Sequence, residues 1–235
     1  MLVIYYSMDG ERFFRRVIAN SVIALVVFGI MALAIAPRAL EAASRSNVGA
    51  TRQGNNTLSA VAIIFGLNHS AEYINEALDI LDRHNAVGTF FVDGRWVERN
   101  ESMLVQIADK GHTIGNYGFF GRNMTLLTSQ GQRDELLATS NIVERILDEP
   151  TTILLPPHGQ ADRNLVAVAA SIGMHTIIAT HTTADFRAGD LRISRLRAGN
   201  FILMHMDSNM PQLLDEILTN LASRGLGTLT VSELL

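Results

Sequence analysis

The stretch VAIIFGLNHSAEYINEALDILDRHNAVGTFFV, residues 61–92, decides the fold class. It opens on VAIIF, a continuous apolar run of strand length, as expected of a strand buried on both faces. It continues through 72–83, where Ile74, Ala77, Leu78 and Leu81 form one stripe at helical spacing. It closes on GTFFV, residues 88–92, a second short apolar strand. Strand, amphipathic helix, strand is the unit of a parallel sheet.

The same alternation runs outward to the C-terminus. Helices are expected at 102–110, 134–147, 165–172 and 212–224. Strands are expected at 113–116, 152–155, 175–179, 201–205 and 228–230. No repeat of fixed period is present. The pattern predicts an α/β domain over 59–235, with either an open doubly wound sheet or a barrel. Periodicity leaves both open.

Running toward the N-terminus, 39–58 is rich in Ala, Ser, Asn and Gly without periodicity and reads as part of a linker, 37–58. Before it, 17–36 is a run of 20 residues without a charge, enough for one membrane crossing as a helix. Arg12, Arg15 and Arg16 precede it and only Arg38 follows closely. The positive-inside bias makes 1–16 a cytoplasmic stub and places the C-terminal domain outside a cell membrane, as a single-pass protein. A cleaved signal peptide is the rival reading, although Pro37 spoils the Ala34-Ile35-Ala36 site.

The whole chain has 235 residues, 48% of them hydrophobic, and a mean hydropathy of +0.19, which excludes a disordered chain. Its net charge of −4, and −7 over 59–235, argues against a nucleic-acid partner. With no cysteine, disulfides, thiolate metal sites and thiol nucleophiles are excluded.

In either fold option, chemistry belongs at the C-terminal ends of the strands. Those ends carry Gly66 to Ser70, Asp93 to Trp96, Tyr117 to Asn123, Pro156 to Gly159, Thr180 to Asp185 and His205 to Asp207. Four of the seven histidines, at 69, 158, 181 and 205, fall there, and no pair has the spacing of a helical metal motif. Trp96 is expected in the core. Asp93, Arg95 and Glu98 are expected solvated or paired at the surface.

Six segments, in order, resemble the polysaccharide deacetylases of carbohydrate esterase family 4, the NodB-homology domain. They are Ile64 to Ser70, Thr89 to Asn100, Gly111 to Gly121, Leu155 to Gly159, Thr182 to Phe186 and Leu203 to His205. The single anchor and Gly94-Arg95-Trp96 look most like the sporulation-type branch. The resemblance implies a distorted barrel of about seven strands. It also implies a divalent metal, held in family enzymes by a first-motif Asp and two second-motif His, with another first-motif Asp as base.

This chain departs from the pattern at those positions. It has Gly66 and Leu67 in the first motif, Tyr117 and Gly121 in the second, and Leu155 for the third-motif Arg. No metal is therefore expected at the family site. His112 resembles the structural His of the second motif. His205 and Asp185 remain as remnants of the acid machinery, within a substrate groove of Asn68, His69, Asn116, Tyr117, Pro157 and His158. The expected function is a catalytically degenerate, membrane-anchored deacetylase-like protein that binds cell-wall glycan or a membrane or sporulation protein partner. The alternative is an active N-deacetylase with zinc in a rewired site drawn from His69, His158, His181, His205 and Asp207. A tethered scaffold whose groove binds nothing is the third reading.

Overall fold

The computed structural model describes residues 49–235, apart from 69–70, 184–185 and 187–190. The expected membrane segment at 17–36 lies outside them. Among the described residues no helix is long and apolar enough to cross a membrane.

Strand β1 (Ala60–Leu67) is the centre of the sheet. It is flanked by β2 (Gly88–Val92) and β7 (Phe201–Met204), and the small β8 (Gly227–Thr228) pairs its N-terminal end. Beyond β2 come β3 (Thr113–Asn116), β4 (Ile153–Leu154) and β5 (His175–Thr176). Beyond β7 comes β6 (His181–Thr182), giving the order β5-β4-β3-β2-β1-β7-β6. Every pairing is parallel, and the sheet curls into a half-barrel.

The two-residue period of a strand divides the core into two. Val61, Ile63, Phe65 and Leu67 pack outward with the helices, together with Phe90, Trp96, Ile202 and Met204. Ala60, Ala62 and Ile64 pack inward with Phe91, Ile153, Leu155, Ile177 and Phe201, and Tyr117 and Leu203 lean on this second cluster. The inward alternation carries on to Gly66, at the C-terminal end of β1.

Helix α1 (Ile74–Arg83) buries Ile74, Ala77, Leu78 and Leu81, as its stripe predicts. It starts two residues later than expected because Tyr73 is left-handed, with φ 64°. The next helix, α2 (Gly94–Arg99), was not expected from the sequence. The Asp93 carboxylate caps it, accepting the Trp96 N–H at 2.6 Å. Asp93 is accordingly buried, where the sequence reading has it solvated or paired at the surface. Helices α3 (Glu101–Asp109), α5 (Arg163–Ser171) and α6 (Met210–Ser223) fall close to their expected places. The long α4 (Ser129–Leu147) begins five residues early because Thr128 caps it, and α7 (Val231–Leu234) is a short turn closed by a Thr230–Glu233 capping box.

Residues 51–55, read from composition as linker, are hydrogen-bonded along the open seam of the sheet. Thr51 bridges Ile177, and the Ile178 N–H donates to the Thr51 carbonyl at 2.8 Å. The Thr180 hydroxyl donates to the Arg52 carbonyl at 2.7 Å, and the Gly54 N–H to Gly199 at 2.8 Å. Backbone groups left unpaired at the ends of β5 and β7 find partners in this strap.

Candidate functional site

A cleft of about 780 Å³ opens where the inward face of the sheet reaches the C-terminal ends of its strands. Its floor is Gly66, Leu155, Ile178 and Leu203, and its mouth carries Asn68, His158, His181 and His205. This is the position that the strand-end rule assigns to chemistry.

Tyr117 lines the cleft beside Gly66. A Cβ placed on Gly66 would stand 3.6 Å from the Tyr117 Cζ and 3.7 Å from its hydroxyl. The phenol thus lies in van der Waals contact with the position from which a side chain at 66 would start. Burial pushes the Tyr117 pKa above its ordinary value near 10; a hydrogen bond to the His158 backbone pulls it down, and the nearby Asp93 charge adds to the rise. Tyr117 is a neutral hydroxyl at physiological pH.

Leu67, the neighbour of Gly66, points the other way. It is 1% exposed and belongs to the helix-facing core. Gly121 has φ +62°, a left-handed conformation that costs any other residue free energy, and a Cβ there would lie 3.1 Å from the Asp93 carboxylate. Two glycines, a leucine turned into the core and a neutral phenol do not make a donor set for a divalent ion. Among the described residues no three His, Asp or Glu side chains are close enough to hold a metal. His158, His181, His205 and Asp207 therefore do not assemble the rewired zinc site by themselves, and His69 lies outside the described residues.

His205 stands at the mouth, exposed, with Nε2 2.8 Å from the Thr182 hydroxyl, while its backbone N–H donates to the Thr183 hydroxyl at 2.9 Å. Asp185, its expected carboxylate partner, lies outside the described residues. Asn68, Tyr117 and His158 line the cleft as expected. Asn116 does not. It is fully buried behind the cleft, donating to the Leu136 carbonyl at 2.9 Å and the Thr151 hydroxyl at 3.1 Å, and accepting the Gly118 N–H at 2.9 Å. Pro157 is buried, and Pro156 takes its place on the wall. Trp96 is in the core as expected. His112 is buried against Phe90, with ring centroids 5.3 Å apart, and its Nδ1 accepts the Gly88 N–H at 3.3 Å.

Sequence reasoning missed Glu135. Its carboxylate is 4% exposed and accepts the Phe119 N–H at 2.7 Å, the Phe120 N–H at 3.0 Å and the Arg122 Nε–H at 2.6 Å. It therefore holds the loop that follows β3, which carries Tyr117 and Gly121. A signal existed: Gln132, Leu136, Thr139, Ser140 and Val143 share the buried face of α4 at helical spacing, with Glu135 among them. Apolar periodicity passes over a stripe in which four of the six buried residues are polar.

The comparisons with known proteins agree with this geometry. The family model for polysaccharide deacetylase matches residues 54–177. The uncharacterised protein YlxY of Bacillus subtilis (strain 168) is 28% identical over 189 residues, covering 78% of this chain and 59% of its own length. The chain thus spans about three fifths of that relative. The peptidoglycan-N-acetylmuramic acid deacetylase PdaA of the same strain is 25% identical over 193 residues, covering 77% of this chain and 73% of its own. Among solved structures, a carbohydrate esterase family 4 pseudoenzyme from Bacillus anthracis superposes with a TM-score of 0.74 at 28% identity, covering 80% of this chain and 69% of its own. A mutant of that pseudoenzyme with restored enzymatic activity superposes equally well, covering 80% of this chain and 71% of its own.

Proposed function

The chain belongs to the polysaccharide deacetylase family, and from that premise we propose that it is a catalytically silent member which binds N-acetylated cell-wall glycan in the cleft. One observation carries the reading: the Tyr117 ring packs at 3.6 Å against the Cβ position of Gly66, so that a neutral phenol stands where the family's chemistry needs an acid and a metal. Among the described residues the cleft has no carboxylate at the family's base position and no three-ligand cluster that could hold a metal to activate water. What remains suits binding: an apolar floor of Leu155, Ile178 and Leu203 under a rim of Asn68, Thr180, Thr182 and three histidines. The Tyr117 hydroxyl offers a hydrogen bond to an acetamide.

The test is to incubate the full chain with an N-acetylglucosamine hexamer and measure binding by calorimetry and free acetate by enzymatic assay. Binding without acetate release is expected. Acetate release that Tyr117→Phe leaves intact but a chelator abolishes overturns the silent reading. Absence of glycan binding turns attention to a protein partner.

The uncharged run at 17–36 after three arginines supports a further part of the proposal, a single-pass membrane anchor with the cleft domain outside the cytoplasm. A reporter fused after Leu235 is expected to be active only outside the membrane, and cytoplasmic activity refutes that topology.

A further inference from the structure

We propose that the strap at 51–55 is a latch on the cleft: docked, it holds one wall in its binding shape, and its release weakens the grip on glycan. This rests on the glycan-binding reading and adds to it a means of control from the N-terminal side of the domain.

The sheet ends at β5 on one side and at β6 on the other, and residues 177–180 carry the chain from one end to the other. Ile178, Ala179 and Thr180 of this crossing form cleft wall. Its two ends are bonded to the sheet. The Ile177 N–H donates to the Leu154 carbonyl of β4 at 2.8 Å, and the Thr180 N–H to the Phe201 carbonyl of β7 at 2.8 Å. Between them, the Ile178 N–H turns to the strap and donates to the Thr51 carbonyl at 2.8 Å. The Thr180 hydroxyl ties strap and sheet together, donating to the Arg52 carbonyl at 2.7 Å and accepting the Phe201 N–H at 3.0 Å. The Thr51 N–H completes the set on the Thr176 carbonyl at 2.9 Å.

The strap is built to come away as a unit. None of residues 51–55 is buried, so no apolar side chain pins it to the core. Its grip is hydrogen bonding and close backbone approach. The Gly54 N–H donates to Gly199 at 2.8 Å and the Asn55 N–H to Leu234 at 2.7 Å. A Cβ on Gly54 would stand 2.6 Å from the Leu234 Cγ and 2.8 Å from the Leu234 carbonyl oxygen, and one on Gly199 would stand 2.6 Å from the Gly54 carbonyl oxygen. An element with exposed hydrogen bonds and little apolar burial opens at lower free energy than the sheet beneath it.

Opening takes from the wall the partners that the strap gives to Ile178 and Thr180. The residues that line the cleft include none from 51–55, so strap and ligand are coupled through the wall and not by contact. Coupling is reciprocal: a ligand that prefers the docked wall also holds the strap down. The strap lies in the chain between 1–48 and β1, so a partner or a load acting on the N-terminal side reaches the latch before it reaches the sheet.

The full chain is titrated calorimetrically with an N-acetylglucosamine hexamer, and hydrogen exchange at the Thr51 and Gly54 amides is followed with and without it. In the parent, the hexamer is expected to slow exchange at both amides about tenfold, within the usual range of coupling between two sites. Gly54→Ala drives a methyl group into Leu234, and Thr51→Pro removes the N–H that donates to Thr176. Each variant is expected to bind the hexamer about tenfold more weakly, while the amides of β1 exchange as slowly as in the parent. Hexamer binding by the parent with unchanged exchange at Thr51 and Gly54 overturns the latch, whether or not either variant folds, and leaves the glycan-binding reading standing. A folded variant whose strap amides exchange freely and which binds as tightly as the parent does the same. Absence of hexamer binding by the parent overturns the glycan-binding reading, and the latch with it.

Discussion

Replacing Glu135 with alanine tests whether one buried carboxylate holds the loop that fills the site. The side chain is 3% exposed and accepts three hydrogen bonds, from Phe119 N–H at 2.7 Å, Phe120 N–H at 3.0 Å and Arg122 Nε–H at 2.6 Å. Removing one partner of a buried ion pair costs about 3–5 kcal/mol. Arg122 is 53% exposed and regains water, so the lower end applies, about 3 kcal/mol. For a domain of this size that is a fall in melting temperature of roughly 6–12 °C. Glu135→Gln keeps one carbonyl oxygen and loses the charge, and is expected to fall between the variant and the parent. Calorimetry on the full chain gives the global effect, and hydrogen exchange at the Phe119 and Phe120 amides gives the local one. An alanine variant that melts within about 1 °C of the parent and keeps both amides protected refutes the reasoning.

Three other perturbations follow from the same geometry. Burial holds the His112 imidazole below its ordinary pKa near 6.5, partly offset by Asp82 and reinforced by Lys110, so the folded state disfavours its protonation. The stability it supports is present above pH 6.5 and is lost as pH falls through the depressed value; in His112→Gln the slope of urea-unfolding free energy against pH over that window should flatten, and an unchanged slope counts against the assignment. Restoring the family's residues should restore metal only in combination: Gly66→Asp alone still meets the Tyr117 ring, whereas Gly66→Asp with Tyr117→His and Gly121→His should bind zinc weakly by calorimetry. The left-handed backbone at Gly121 costs that variant about 1–2 kcal/mol, and a single Gly66→Asp variant that binds zinc equally well contradicts the filled-site account. A chain that starts at Ser59 should melt well below one that starts at Val48, because it lacks the strap hydrogen-bonded to Ile178 and Thr180 of the cleft wall; equal melting temperatures would show the seam closes without it.

The sequence by itself determined most of the elements and their order, though not α2, β6 or α7. A run such as VAIIF reads as a strand buried on both faces, and the stripe from Ile74 to Leu81 as one side of a helix, because both patterns are local and set by backbone period. The motif segments followed, since they occupy strand ends that the period already located, and so did the burial of Trp96. Which neighbour faces the cleft was another matter. Gly66 and Leu67 are adjacent in sequence, and only the curl of the sheet makes the inward face a cleft and the outward face a helix-covered core. The same holds for the polar residues: Asn116 is spent on Leu136 and Thr151, Asp93 on the first turn of α2, Glu135 on a loop 13 to 16 residues earlier in the chain, and the strap at 51–55 on strands more than a hundred residues away. Apolar burial follows a period that a sequence displays. A buried hydrogen bond depends on where two distant groups meet, and tertiary structure alone decides that.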